Sequence, residues 1–260
     1  MVAVRTRQFT ATGLPGVPLV RPGEDLVEVV CVGLAAAGLE LDDGDVVVVA
    51  QKIVSKAEGR IVRLRQVTPS TEARRLAAET GKDARLGEGI LGESSQVLRT
   101  RADLIIVEHR LGFVCANAGV DRSNVEQDAT DDESVTLLPA DPDRSARQLA
   151  EGLRARTNRR VAVVISDSHG RAFRVGAIGV AIGVAGLVPV EDRRGEPDLF
   201  GYRLRVTDVG RGDEIASAAS LLMGQTAEAT PIVLLRGVPF TSGEGGVAAL
   251  VRPRDLDLFR

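Results

Sequence analysis

Four short runs of apolar, largely β-branched residues set the strongest limit on how this chain folds: residues 46–49, 104–107, 161–165 and 232–235. Runs of that length and composition read as buried strands. Helical patterns lie between them. Leu26, Val29, Val30 and Gly33 recur at helical spacing after Asp25, with Gly38 as the stop. Asp141-Pro142 supplies an N-cap and a first-turn proline for a helix whose apolar face is Ala146, Leu149, Ala150 and Leu153. Ile215, Ala218, Ala219 and Leu222 make a third face, ending at Gly224. Further strand-like pieces occur at 60–64 and 202–207. Because strands and helices alternate irregularly, the expected fold is α+β, with mixed sheets and flanking helices, rather than a regular doubly wound sheet.

Residues 176–186 repeat glycine and alanine among small aliphatics, a pattern that permits close backbone approach or a strained turn. They contain no GxGxxG between a strand and a helix, and GxxxxGK[ST] occurs nowhere in the chain. A nucleotide site here is therefore built without a Walker or Rossmann loop. The apolar stretch 175–190 carries four glycines and is shorter than the ~20 residues a bilayer requires, so it reads as a buried strand or turn.

With 260 residues the chain buries a core without disulfides, and 44% hydrophobic with 27% charged residues is globular rather than disordered composition. A net charge of −3 gives no footprint for nucleic acid. Cys31 and Cys115 are too few for a disulfide framework or a CxxC zinc site. Residues 1–10 lack the apolar segment of an export signal. The expectation is a cytoplasmic protein with neither a nucleic-acid nor a membrane partner. Of the 33 basic residues only Lys52, Lys56 and Lys82 are lysines. A lysine kept against such a bias hints at a site that wants a point charge, although a solvated strand end accounts for Lys52 and Lys56 equally well.

Three segments could carry chemistry. The run 161–165 leads straight into Asp167, Ser168, His169 and Arg171, at the strand end where α/β proteins place ligand groups. Asp167 and the Ser168 hydroxyl are hard oxygen donors suited to Mg²⁺ or Mn²⁺. Adjacent residues cannot converge as a serine-hydrolase triad, and there is no GxSxG elbow. A self-capping Asp-Ser turn is the competing explanation. The second segment, 112–124, ends in Gly119-x-Asp121-x-x-Asn124, a carboxylate and an amide that could hold a cation together with a phosphate or base edge; an ordinary turn explains it as well. The third, Met223-Gly224-Gln225-Thr226, reads as a helix C-cap. His109 and Cys115 read as structural, His169 as orienting its loop, and 127–133 as a solvated acidic loop.

Taken together these segments resemble the coenzyme F-420 gamma-glutamyl ligase family. The resemblance runs through Gly16-Val17-Pro18-Leu19-Val20, Pro22-Gly23-Glu24-Asp25-Leu26, Val54-Ser55-Lys56-Ala57-Glu58-Gly59-Arg60 and Ala116-Asn117-Ala118-Gly119-Val120-Asp121. It continues through Asp167-Ser168-His169-Gly170-Arg171 to Gly186, then Phe200-Gly201, Val206-Thr207, Asp213-Glu214 and Met223-Gly224-Gln225. It implies one ligase domain over 1–238, divisible into two subdomains, followed by a tail or linker over 239–260. The implied activity is GTP-dependent addition of L-glutamate to the lactyl carboxylate of coenzyme F-420-0, then of a second, gamma-linked glutamate, through an acyl phosphate.

By position, the resemblance implies that Asp121 and Asp167 hold one divalent cation, Mg²⁺ or Mn²⁺, and that Ser168 and Gln225 contact a second. K⁺ is a further candidate. Nucleotide contacts fall on Val17, Pro18, Leu19, Val20, Gln51, Lys52, Lys56 and Asn124, and on Met223, Gly224, Gln225, Thr226, Ala227, Glu228, Ala229 and Thr230. Ser168 stands where the family often has threonine, Gln51 where some members have serine, and Tyr202 where a basic or polar residue is expected. Lys56 suits catalysis as a point charge on phosphate, and Arg171 and Arg174 are candidates for stabilising phosphoryl or substrate charge beside Asp167. Some relatives add a flavin-binding domain after this point; no FMN site is expected here, and a homodimer is. The alternatives are a related ligase for another amino acid or carboxylate, and a non-catalytic nucleotide- or deazaflavin-binding protein.

Overall fold

The computed structural model describes residues 6–127 and 133–258. Most of the acidic stretch expected as a solvated loop, 128–132, lies outside the described residues. In chain order the elements are β1 (Thr10–Gly13), α1 (Leu26–Ala37), β2 (Val46–Ala50), α2 (Gln51–Ala57), β3 (Ile61–Arg63), α3 (Thr71–Thr80), α4 (Ala84–Gly92), β4 (Ser94–Arg101), β5 (Leu104–His109), β6 (Val114–Ala116), β7 (Ser134–Thr136), α5 (Pro142–Thr157), β8 (Ala162–Arg171), β9 (Arg174–Ala185), β10 (Glu191–Asp192), β11 (Asp208–Val209), α6 (Arg211–Met223) and β12 (Ile232–Arg236). The fold is α+β with several mixed and antiparallel sheets.

The central sheet has the order β1-β12-β2-β8-β9, in which β2 and β8 are parallel and the other neighbours antiparallel. Side chains alternate across it, and both faces are covered, which is why β2 is valine at every position from 46 to 49. Val47, Val49, Val163, Ile165 and Leu234 pack on one face against Val30 and Leu34 of α1 and Leu149 and Leu153 of α5. Val46, Val48, Val164, Val233 and Leu235 pack on the other against Ile215, Ala216 and Ala219 of α6.

Helix ends follow the capping chemistry. The Asp25 carboxylate accepts from Val27 N at 2.9 Å, Gly38 closes α1 at φ 64°, and the Asp141 carboxylate accepts from Arg144 N at 2.9 Å to open α5. The apolar stripe of α6 is displaced from the expected one: Ala216 is buried while Leu222 is 40% exposed. Close approach to β9 explains the shift, since a Cβ on Gly179 would lie 2.5 Å from the Ala216 carbonyl oxygen. On the opposite face a Cβ on Gly183 would lie 2.5 Å from the Pro142 carbonyl. The small-residue segment is thus a strand crossed by helices on both faces, with a bulge between Ala181 and Gly183 that resets its alternation. The strand expected at 202–207 does not form. The Asp198 carboxylate accepts from Phe200 N and Tyr202 N and folds that segment into a loop, leaving only β11 to pair with β10.

Between α2 and α5 the chain builds a second unit. β3 pairs with β7, and the antiparallel sheet β4-β5-β6 packs with α3 and α4 around Leu64, Leu76, Ile90, Ile105 and Val107. Here His109 is buried, stacks on Phe113 and accepts from Leu111 N through Nδ1 at 3.0 Å, a structural role. After β12 the chain returns to the α6 face, where Phe240 and Leu250 pack and Val247 is buried. Among the described residues no helix is long and apolar enough to cross a membrane.

Candidate active site

Topology brings the candidate segments to one edge of the central sheet. β2 and β8 are parallel and in register, Ala50 beside Ser166, so α2 leaves the sheet beside Asp167, where β8 runs on past the end of β2. β12 runs antiparallel to β2, and Ala50 N donates to Pro231 O at 2.8 Å, so the loop before β12 reaches the same edge. Gly13 pairs with Val233, and Leu14 N donates to Ile232 O at 2.9 Å, which adds the segment after β1. Residues 17–20, 51–56, 167–168 and 223–230 therefore share an edge at strand ends, the position that open α/β sheets use for ligands.

The second unit supplies the remaining groups. Lys52 Nζ lies 2.8 Å from Asp121 Oδ2 and donates to the Ser123 carbonyl at 3.2 Å and to the Ser123 hydroxyl. Asp121 Oδ1 accepts from Ser123 N at 2.8 Å, and Oδ2 from the Ser123 hydroxyl at 3.0 Å. Burial pushes the Asp121 carboxyl up, but hydrogen bonds from Lys52 and Ser123 outweigh it and hold the group below the usual carboxylate range. Asn124, in a left-handed conformation at φ 55°, donates from Nδ2 to Thr226 O at 3.0 Å and ties this unit to the loop before β12. Lys56 is half-buried; burial, and then the neighbouring charge of Lys52, lower its pKa, with Glu126 opposing.

On β8, Asp167 Oδ2 lies 3.0 Å from His169 Nε2, and Ser168 is exposed. Phe113 of the second unit packs on the His169 ring at 5.3 Å. Burial and the Asp167 charge push the thiol of buried Cys115 up to about 12, so it stays protonated and structural. Arg171 and Arg174 lie farther out, facing one another at the end of the β8–β9 hairpin, where Arg171 Nη2 donates to Gly176 O at 3.3 Å. Four residues of strand, ~13 Å, separate Arg171 from Asp167. The structure does not bring this arginine pair to the carboxylate.

Other candidates face different surroundings. The Gln51 side chain is buried and its Oε1 accepts from Ser55 Oγ at 2.9 Å, so it points into the fold. Val20 is buried and Val17 packs on the core, while Pro18 and Leu19 are exposed. Met223 and Gly224 end α6, with Gly224 N donating to Ser220 O at 3.3 Å. Gln225, Thr226, Ala227, Glu228 and Ala229 form an exposed turn, in which the Glu228 carboxylate accepts from Thr226 N at 2.7 Å, and Thr230 leads towards β12. Ser123 escaped local reasoning, because its value lies in meeting Lys52, 71 residues away in the chain, beside Asp121.

Among the described residues no three His, Cys, Asp or Glu side chains form a metal cage. The available donors are nonetheless hard oxygens: the carboxylates of Asp121 and Asp167 and the Ser168 hydroxyl. By donor type these suit Mg²⁺ or Mn²⁺, which use one or two carboxylates and take the other ligands from phosphate and water, and Ser168, consecutive with Asp167 in β8, faces the opposite side of the strand. The Lys52 ammonium against Asp121 shows that the position accepts positive charge. Lys52 and Lys56 on α2, Asp167 on β8, and Asp121 and Asn124 of the second unit supply two ammoniums, two carboxylates and an amide that can bind a polyphosphate and stabilise charge on it.

A sequence model of the family described as F420-0:Gamma-glutamyl ligase matches residues 16–237. A coenzyme F420:L-glutamate ligase of Methanothermobacter thermautotrophicus is 51% identical over 250 residues, 95% of this chain and 97% of its own length. The protein of that name from Methanopyrus kandleri is 46% identical over 245 residues, 93% of each chain. That from Archaeoglobus fulgidus is 41% identical over 245 residues, 94% of each.

Proposed function

The chain belongs to the F420-0:gamma-glutamyl ligase family, and from that membership we propose that it joins L-glutamate to the lactyl carboxylate of coenzyme F-420-0, with GTP as the phosphoryl donor. A second glutamate is then added through the gamma-carboxyl of the first. A carboxylate is a poor acyl donor, so it first attacks the terminal phosphorus of GTP, giving an acyl phosphate and GDP. The amine of glutamate then attacks the acyl carbon; the C–N bond forms, the C–O bond to phosphate breaks, and the amine proton passes to solvent. The observation that carries this reading is the convergence of Lys52, Asp121 and Asn124 with the ends of β2, β8 and the loop before β12 on one sheet edge.

In this reading Lys52 and Lys56 bind phosphate oxygens as point charges. Asn124 joins the nucleotide to the 223–230 loop, and the segment 17–20 closes the same edge. Asp121 and Asp167 hold one divalent cation, with Ser168 and Gln225 at a second. When bound, such ions neutralise charge on the transferring phosphoryl group. We read the protein as cytoplasmic and as a homodimer, a second copy covering Phe173 and Val175 on the β8–β9 hairpin and Leu199 and Phe200 beyond β10, all at least 90% exposed. Mass spectrometry of a reaction with coenzyme F-420-0, L-glutamate, GTP and Mg²⁺ or Mn²⁺ tests the function. A product heavier by one or two glutamyl units with matching GDP is expected; GTP binding without product would move the search to other carboxylates and amines.

A further inference from the structure

The three lysines of this arginine-rich chain lie at or beside the candidate site. Lys52 pairs with Asp121, Lys56 lies within electrostatic reach of Lys52, and Lys82 lines a cavity of about 620 Å³ that has Asp121 in its wall. That volume is within the ~300–1,000 Å³ range of small-molecule sites. Most charges around the cavity are matched: Arg122 pairs with Glu133 at 3.0 Å, Arg85 with Asp83 at 2.6 Å and Asp121 with Lys52 at 2.8 Å. Lys82 and Asp103 are the exceptions among the described residues. Lys82 follows the Gly81 cap of α3, is half-buried, and makes no hydrogen bond or ion pair among them. The charges facing it are Asp103, outside ion-pair distance, and Arg122; burial and Arg122 lower its pKa while Asp103 opposes. An ammonium withdrawn from water without a partner is costly until an anion meets it.

We propose that Lys82 binds a carboxylate of the incoming amino acid and holds L-glutamate in this cavity beside Asp121. The assignment rests on the ligase function proposed above. Two features favour the amino acid over the nucleotide. Lys56, Asn124 and the 223–230 loop do not line this cavity, so it shares only Asp121 with the proposed nucleotide and metal groups. Among the described residues its wall also carries four acids, Asp83, Asp103, Asp121 and Glu133, against three bases, Lys82, Arg85 and Arg122. That balance disfavours a polyphosphate, whereas L-glutamate is a zwitterion that brings a carboxylate to Lys82 and an ammonium to the unmatched Asp103.

The test compares the full chain with Lys82→Met, which keeps the side-chain length, and Lys82→Arg, which keeps the charge. Initial rates are measured against L-glutamate and against GTP, and calorimetry follows L-glutamate binding directly. Loss of a charge-assisted contact predicts a rise of about tenfold or more in the KM for glutamate in Lys82→Met. The KM for GTP stays within about twofold, and Lys82→Arg recovers most of the loss. An unchanged glutamate KM, a rise confined to GTP, or no recovery by arginine overturns the assignment. If the unaltered protein forms no product, the ligase function fails, and calorimetry still decides the site. Glutamate binding lost in Lys82→Met supports it, and binding equal in both or absent from the unaltered protein overturns it.

Discussion

Replacing Asp121 by asparagine separates what this residue does for the fold from what it does for the reaction. Asparagine keeps an oxygen to accept from Ser123 N, so the local turn is retained, while the charge facing Lys52 is lost. The Lys52 and Asp121 side chains are 24% and 41% exposed, and an ion pair that open to water contributes at most about 1 kcal/mol. For a chain of this size that is a Tm decrease of about 2–4 °C. Activity has further to fall. An amide is a far weaker ligand for a hard cation than a carboxylate, and a loss of about 100-fold or more in kcat is expected at fixed Mg²⁺. Thermal unfolding and steady-state turnover of the same preparation supply both numbers. Turnover within threefold of the unaltered protein, with Tm barely moved, would remove Asp121 from the reaction; a Tm drop beyond about 8 °C would make it a structural residue instead.

Two predictions concern the scaffold. Gly183→Ala drives a Cβ to 2.5 Å from the Pro142 carbonyl and destabilises by about 1–3 kcal/mol, whereas Gly89→Ala, in open space within α4, stabilises by about 0.5–1 kcal/mol; chemical denaturation of both checks the opposite signs. Burial pushes the Glu93 carboxyl up, but neighbouring His109, 3.6 Å away, and the guanidiniums of Arg60 and Arg110, at 2.7 and 2.8 Å, outweigh it and hold the group at about 2. A depressed carboxylate pKa stabilises fully above the ordinary value of 4.5 and loses that contribution, up to about 3 kcal/mol, as pH falls towards 2. The stability gap between the unaltered protein and Glu93→Gln should therefore narrow from pH 6 to pH 2.5; a gap independent of pH contradicts the assignment.

Local signals carried far where local physics decides. Asp25, Gly38 and Asp141 act through hydrogen bonds within a few residues, and the continuous valines of β2 could only be a strand covered on both faces. The signal failed where distant packing decides. Leu222 was placed on the buried face of α6 because spacing alone cannot foresee that Gly179 lets the helix settle on Ala216. The strand expected at 202–207 ignored Asp198, whose carboxylate captures two backbone N–H groups. At the site, residue types and motifs drew attention to Lys52, Asp121 and Asn124. Their joining across 69 to 102 residues depends on the second unit docking against the sheet edge, which no short window contains. In the sequence Lys82 is only one lysine among many arginines, and the absence of an ion-pair partner among the described residues emerges from the cavity it lines.

Oxygen transfer tests the central claim, that this sheet edge activates a carboxylate by moving a phosphoryl group onto it. Coenzyme F-420-0 labelled with ¹⁸O in both lactyl carboxylate oxygens is incubated with GTP, L-glutamate, Mg²⁺ and the full chain, and phosphate and amide are read by mass spectrometry. In the first addition an acyl phosphate requires one ¹⁸O in the phosphate released and one retained in the amide formed, whereas the second addition, on the unlabelled gamma-carboxyl, releases unlabelled phosphate. Monoglutamyl product formed without an equal amount of ¹⁸O-labelled phosphate would contradict the account.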